Sequence, residues 1–521
     1  MTPDPLLLLL SRLQFGFTAS FHYLFVPLTV GLALAMALMD TAGVFRRRPA
    51  LIQAASFWNR FFVLAWLMGF ATGYPLRLQL ADRWTAYSEQ TRAVLHALMG
   101  MEGWLAPGML LLVAVLALGS RHLPPGLRVA CRWLLAASML AQSVCIVTMN
   151  AWMQHPVGTH WHGSDGAELV ALAEVFMNPT ALHKVSHTLS AALLTGALFI
   201  VAVSAFYLLR QRHLPMASGS LAAALPLAGV SLGLVIITGH GSARDVMAHQ
   251  PMKFAALEAH WNQGDGPAPM VLFGLPDMAA ERNDAALEVP YLMSWLATHS
   301  NASPRGMKEL VDTAARRISW ARQADMAAEP SAQGWRQLYQ RTAELTPGWA
   351  AMTEPQRTRQ AALASRPHVP TLFFGFRVMV GCGLLLAAVL AWAAWRWRAA
   401  VSGQERRILT ALCLCVPLPW VATLAGWMVA EVGRQPWVVY EQMTTAAAVV
   451  LPPAGQTVGQ LVFWGVLYAV MALGFGWMVR WLILRGPERR VLPRVHWSAA
   501  RDTQQAVSRA FMATSCSVFD A

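Results

Sequence analysis

Phe15-Gly16-Phe17-Thr18-Ala19-Ser20-Phe21-His22-Tyr23-Leu24-Phe25-Val26-Pro27-Leu28-Thr29-Val30-Gly31-Leu32-Ala33-Leu34-Ala35-Met36-Ala37-Leu38-Met39 contains no Asp, Glu, Lys or Arg. A helix rises about 1.5 Å per residue, so a stretch of this length crosses a hydrocarbon layer about 30 Å thick. Eight further runs meet the same test: 58–76, 97–119, 129–150, 187–209, 219–239, 371–395, 408–431 and 458–482. Composition agrees, with 56% hydrophobic and only 13% charged residues among 521, about half the charged fraction of a soluble domain. The expected fold is an all-α integral membrane protein of about nine transmembrane helices.

The net charge of +13 raises the question of nucleic acid, and its distribution answers it. Basic clusters follow the first run (Arg46, Arg47, Arg48), the third (Arg121, Arg128, Arg132), the fifth (Arg210, Arg212), the seventh (Arg396, Arg398, Arg406, Arg407) and the ninth (Arg485, Arg489, Arg490, Arg494). These are alternate loops, which by the positive-inside rule puts the N-terminus outside and the C-terminus inside. The charge orients the chain in lipid, and no nucleic-acid partner is expected. Leu6–Leu10 lacks the basic flank and small-residue cleavage site of a signal peptide, so residues 1–14 read as an interfacial lead-in to an uncleaved first span. The six cysteines (Cys131, Cys145, Cys382, Cys413, Cys415, Cys516) form no CxxC or CxxCH motif, which excludes covalent c-type haem attachment.

Three regions follow: 1–240 with six spans, a polar segment 241–370 on the outer side, and 371–521 with three spans and a cytoplasmic tail. The middle segment opens on a helix-like stretch, Gln250 to Trp261, breaks at Gly264, Gly266, Pro267 and Pro269, and resumes amphipathic helical patterning from about 306 to 346. Its length and apolar content favour a folded cap.

Four groups able to ligate haem iron fall toward the outer ends of four spans: His22, His187, Met379 and Glu431. A His/Met pair such as His187 and Met379 completes the axial positions of a low-spin haem, and Arg377 stands two residues before the methionine. His22 offers a neutral imidazole suited to iron, and Glu431 a carboxylate with Arg434 as counter-charge. Each has a plain alternative, in packing for the methionine, interhelical hydrogen bonds for the histidines and an interfacial ion pair for the glutamate. Glu102, inside the third run, is costly unless paired or wetted, which points to proton handling or an interhelical bond. Lys253 and Glu258, five residues apart, are poorly spaced for a mutual helix salt bridge. They read as an acid and a base for a quinol's hydroxyls or as solvated surface.

The blocks Ser11-Arg12-Leu13-Gln14-Phe15 through Thr29, Asn150-Ala151-Trp152-Met153-Gln154, Lys253-Phe254-Ala255-Ala256-Leu257-Glu258-Ala259, Phe376-Arg377-Val378-Met379 and Gly433-Arg434-Gln435-Pro436-Trp437 together resemble subunit I of the cytochrome bd quinol oxidases. The resemblance spans essentially the whole chain, including the outer segment, which that family calls the Q-loop. It implies the haem-bearing subunit of a terminal oxidase that oxidises quinol at the outer face, reduces dioxygen to water and generates membrane potential without pumping. Implied cofactors are two haem b, one low-spin and one high-spin, and a haem d or a third b-type haem. Implied partners are subunit II in a heterodimer and, as a further candidate, a small single-span subunit, in a bacterial inner membrane. Residue by residue, His187 and Met379 match the low-spin ligands, and His22 and Glu431 match ligands of the two high-spin haems. Lys253 and Glu258 match the quinol-oxidation residues, Arg377 the residue flanking the low-spin haem, Glu102 an acid near the high-spin pair, and Trp427 and Arg434 its aromatic and basic neighbours. The chain departs from the family at Leu110, Arg77 and Leu424, where acids are expected. Leucine relays no proton, which leaves water with Gln142 or His96 to substitute, or a diverged electron-transfer relative without full oxidase activity. A transporter would show inverted repeats and broken midplane helices, and neither is seen in the sequence.

Overall fold

The computed structural model describes residues 5–325, 329–451 and 453–487. Arg489, Arg490, Arg494 and Cys516 lie outside the described residues. The chain enters through two helices joined end to end, α1 (Pro5–Tyr23) and α2 (Val26–Phe45), then α3 (Pro49–Asp82), the short α4 (Thr85–Gln90), α5 (Arg92–Ala114) and α6 (Pro125–Gln154). A two-stranded sheet of β1 (Thr159–Trp161) and β2 (Ala167–Leu169) and the short α7 (Leu172–Met177) lead into the antiparallel pair α8 (Pro179–Leu209) and α9 (Leu214–His249). The long segment then holds α10 (Pro251–Glu258), a hairpin of β3 (Met270–Asp277) and β4 (Arg282–Val289), α11 (Leu292–Thr298), α12 (Met307–Gln323), α13 (Gln333–Leu345) and α14 (Glu354–Leu363). The last part comprises α15 (Val369–Trp395), α16 (Trp397–Val401), α17 (Arg406–Leu414), α18 (Leu418–Val432), the sheet of β5 (Trp437–Val439) and β6 (Met443–Thr444), α19 (Thr445–Ala448) and α20 (Ala454–Arg485). Among the described residues, nine crossings are long and apolar enough to span a membrane, as the hydropathy pattern predicts.

Three details differ from the sequence reading. The first crossing is helical from Pro5, so residues 5–14 extend the span instead of forming a separate lead-in. It also breaks at Leu24–Phe25, because Pro27 lacks an N–H and its ring would meet the carbonyl four residues back, at Tyr23. The freed Leu24 carbonyl accepts a hydrogen bond from Trp420 Nε1 at 2.9 Å. The eighth run is two helices, α17 and α18, separated at Cys415–Pro417, where Pro417 and Pro419 interrupt the ladder. The fold is mostly helical but not all-α: three antiparallel two-stranded sheets are present, and the β3–β4 hairpin was unforeseen. Its register carries irregularities between Val271 and Phe273 and between Phe273 and Leu275, which scrambles the two-residue alternation that marks a strand in sequence.

α8 lies at the centre of the bundle, with Thr195, Ala197, Ile200, Val201 and Ala205 fully buried. It meets α2 through glycines: a Cβ on Gly31 would sit 2.7 Å from Gly196 Cα, so only bare backbones fit. Such small-residue contacts are how membrane helices approach closely. At the opposite end from the 250–363 segment, buried Asp40 of α2 accepts from Arg128 Nε and Arg132 Nε of α6, each at 2.8 Å.

Candidate functional site

Two histidines are held by the same local device. His22, in the last turn of α1, has Nδ1 3.0 Å from Thr72 Oγ1 of α3. The next residue, Gly73, lies against the ring, where a Cβ would come 3.3 Å from His22 Cε1. His187, in the third turn of α8, has Nδ1 3.2 Å from Thr238 Oγ1 of α9, and a Cβ on Gly239 would come 3.1 Å from its Cε1. In both, a threonine engages one ring nitrogen and the glycine after it makes room for the ring edge. Fixing Nδ1 leaves Nε2 as the nitrogen for a metal, the usual arrangement for an imidazole ligand. Sequence reasoning missed these partners, because Thr-Gly also occurs at Thr195-Gly196 and the dipeptide alone does not single out the two that meet a histidine.

Met379 follows in α15, which packs on both α9 and α18. Its sulfur occupies the space of a side chain at Gly426, where a Cβ would be 2.8 Å from Sδ. Half-buried Trp427 is the next residue on α18. Arg377, two residues before Met379, is not free. Its guanidinium donates to Leu257 O at 2.8 Å, to Glu258 Oε2 at 3.2 Å and to Val271 O, and lies over the Phe373 ring, 3.5 Å from its centroid. It ties the start of the long segment to α15.

Glu431, in the last turn of α18, accepts from Asn150 Nδ2 at 3.0 Å and pairs with Arg434. Lys184 and Lys253 also act on it electrostatically, so three basic side chains surround one carboxylate. Arg434 is buried, and its Nε and Nη1 have no hydrogen-bond partner within the protein. Buried orphan donors in a net positive pocket suit an anionic group, such as the propionates of a haem. The residues present therefore fit the group that the sequence implies.

Lys253 and Glu258 are both buried on α10 but turned apart. Five residues at about 100° each place them about 140° apart around the helix. Lys253 Nζ reaches Gln154 Oε1 at 3.1 Å and Ala430 O at 3.0 Å, over Gly433, where a Cβ would collide with the lysine stem at 2.8 Å. Burial drives the Lys253 amine well below its ordinary value, and the neighbouring Lys184 adds to this. Glu258 faces Arg377 and forms part of the wall of a cavity of about 330 Å³, with His260, Trp261, Val271 and Met293. Burial raises its carboxyl above the usual range, against the opposing pull of Arg377. The two groups do not address one point in space; each faces its own side of α10.

The Gly433–Trp437 block now has physical roles. Gly433 clears the lysine stem and Arg434 pairs with Glu431. Gln435 Oε1 accepts from Thr445 Oγ1 at 2.8 Å, and Trp437 packs edge-on against Trp335 of α13. Glu102 of α5 stands apart from this cluster, paired with Arg77 of α3, and Gln142 Nε2 donates to its backbone carbonyl at 3.4 Å. Arg77 is thus the counter-charge of Glu102. Leu110, two turns on, is 55% exposed.

A family model described as cytochrome bd terminal oxidase subunit I matches residues 10–487. The chain is 33% identical over 473 residues to the cytochrome bd-II ubiquinol oxidase subunit 1 of Escherichia coli (strain K12), covering 87% of this chain and 91% of the relative. It is 30% identical over 482 residues to the cytochrome bd ubiquinol oxidase subunit 1 of Bacillus subtilis (strain 168), covering 92% and 93%. Among solved structures, the bd oxidase from Geobacillus thermodenitrificans shares the fold with a TM-score of 0.76 at 23% identity, over 92% of this chain and 99% of that one.

Proposed function

The chain belongs to the cytochrome bd terminal oxidase subunit I family and is a quinol:oxygen oxidoreductase, and from that premise we propose how its own residues serve the reaction. It is the haem-bearing subunit of a terminal oxidase in a bacterial inner membrane, paired with subunit II. It oxidises quinol at the outer face, where the 241–370 segment lies, and reduces dioxygen to water with protons drawn from inside. Membrane potential follows from that separation without a pump.

In this reading His187 and Met379 would hold a low-spin haem b. His22 and Glu431 would hold the high-spin haem b and the haem d, or a third b-type haem. When bound, these groups supply one-electron transfer and the reduction of dioxygen. Arg434, with its two unpartnered donors, and Lys184 neutralise anionic substituents beside Glu431. Thr72 and Thr238 keep each imidazole in one tautomer and one orientation. Glu258, whose ionised form Arg377 favours against burial, accepts a proton from a quinol hydroxyl at the cavity wall. Lys253, pushed toward its neutral form by burial, hydrogen-bonds on the Gln154 side. Glu102 takes part in proton supply to the oxygen site, with Arg77 as its ion-pair partner and Trp427 lining that side of α18.

The observation that carries this reading is the pair of histidines oriented alike by Thr72-Gly73 and Thr238-Gly239. The test is a dithionite-reduced minus air-oxidised optical spectrum of the complex purified with its second subunit, followed by oxygen uptake with quinol. Low- and high-spin b bands with a far-red chlorin band, and quinol-dependent uptake, are expected. A low-spin b signal alone, without uptake, would replace the oxidase reading with that of an electron-transfer relative.

A further inference from the structure

Next to the Lys253 pocket stands a cluster of ionisable groups that the reaction as described does not use. Asp245 and His249 are one turn apart near the end of α9, with Asp245 Oδ1 3.0 Å from His249 Nδ1. The other carboxylate oxygen accepts from Thr180 Oγ1 at 2.7 Å. His155, the residue after α6, stacks on His249 with ring centroids 4.1 Å apart and 28° between the planes. Nδ1 of His155 is buried and has no hydrogen-bond partner within the protein, and the same is true of Oε1 of Gln250. Gln250 Nε2 donates to Gln154 O at 2.6 Å, while Gln154 Oε1 accepts from Lys253 Nζ at 3.1 Å. The cluster therefore begins one residue from the group that holds Lys253. It ends at His249, whose side chain is 32% exposed while that of Asp245 is 6% exposed.

Charge decides what such a cluster does. Two imidazolium ions stacked at 4.1 Å would repel each other, and the one carboxylate lies beside only one of the rings. The basic groups that face it from other elements, Lys184 of α8 and Lys253 of α10, lie on the buried side, so a positive charge on either drives a proton outward. Burial, reinforced by His249, holds the inner ring, His155, below the ordinary imidazole value. A proton that reaches it passes readily to the ring beside the carboxylate.

We propose that His155, His249 and Asp245 form the proton-release station of the quinol site, receiving protons freed on the Lys253 side and handing them to water at the surface. This rests on the quinol reading above. Each quinol yields two electrons and two protons; the electrons go to dioxygen through the enzyme's own reaction, and the station handles the protons alone. An N–H bond forms on an imidazole as a proton leaves the buried site and breaks as that proton passes to water.

The test uses the complex purified with its second subunit, a short-chain ubiquinol and its menaquinol counterpart, and an oxygen electrode. The variants are His249→Ala, His155→Asn and the isosteric Asp245→Asn, which keeps the assembly testable should a histidine variant fail to assemble. Expected is a loss of kcat of about tenfold to a hundredfold, with quinol KM and the optical spectrum little changed. Without its carboxylate the cluster holds a proton less well, so Asp245→Asn moves the acid limb of the kcat–pH profile to lower pH. Added imidazole restores part of the His249→Ala rate. Unchanged kcat and pH profile overturn the proposal. So does a loss confined to haem content or KM, with no shift of the limb and no rescue, because that marks a structural role. A wild-type complex that consumes oxygen with neither quinol overturns the quinol reading and this proposal with it.

Discussion

At the residue scale, the site depends on groups that position other groups. Thr238→Val and Thr72→Val each remove the partner of a ring nitrogen while keeping the volume, and a lost supporting contact of this kind costs about 10- to 100-fold in metal-site affinity or activity. The expected outcome is haem loss specific to one site, the low-spin b band for Thr238→Val and a high-spin band for Thr72→Val, read by haem content and the reduced spectrum. Glu258 allows a signed test against pH. Its folded-state value is raised by burial, so the stabilisation is fully present below the ordinary carboxylate value of about 4.3 and is lost as pH rises through the raised value. Glu258→Gln removes that loss. The difference in Tm, variant minus wild type, is therefore expected to become more positive as pH rises above that range, in thermal melts of the purified complex across pH. A flat difference would place the carboxyl in an ordinary environment. Glu431, His22, His187 and Met379 were legible as candidates because a polar or sulfur-bearing group in an apolar run stands out. Thr72, Thr238 and Asn150 were not, since each gains meaning only from the side chain that folding places 3.0–3.2 Å away.

At the element scale, the breaks and locks between helices carry the predictions. Trp420 of α18 caps the carbonyl exposed where α1 stops. Trp420→Phe leaves that carbonyl unpaired in an apolar interior, at an expected cost of about 1–3 kcal/mol, measured as a fall in Tm. Asp40 locks α2 to α6 through Arg128 and Arg132, and its side chain is fully buried while that of Arg132 is 1% exposed. Asp40→Asn leaves a buried guanidinium without its counter-charge, so destabilisation of about 3–5 kcal/mol is expected, seen as low yield of assembled complex and a lower Tm. The helices themselves were legible because hydropathy marks every crossing. The two interrupted crossings were read as continuous because their composition stays apolar through Pro27 and Pro417, and only a ladder of actual hydrogen bonds shows where it stops.

At the scale of the whole molecule, the 250–363 segment is attached to the rest of the chain at specific points. Arg377 binds Leu257, Glu258 and Val271 from α15, and Trp437 packs on Trp335 of α13. Arg377→Met is expected to release the start of this segment and raise quinol KM severalfold, with limited proteolysis between α10 and β3 accelerated; unchanged cleavage would show that other contacts suffice. The sequence by itself determined the membrane class, the number of crossings and the residue types able to hold haem. Those properties follow from hydropathy, length and side-chain chemistry, which belong to each segment alone. Only the tertiary structure decided that Arg77 pairs with Glu102, that Lys253 and Glu258 face different sides of α10, and that Arg434 and two lysines converge on Glu431. Those facts depend on which helix faces meet, and the packing of small residues such as Gly31 against Gly196 and Gly433 against Lys253 sets that, not the periodicity of any one helix.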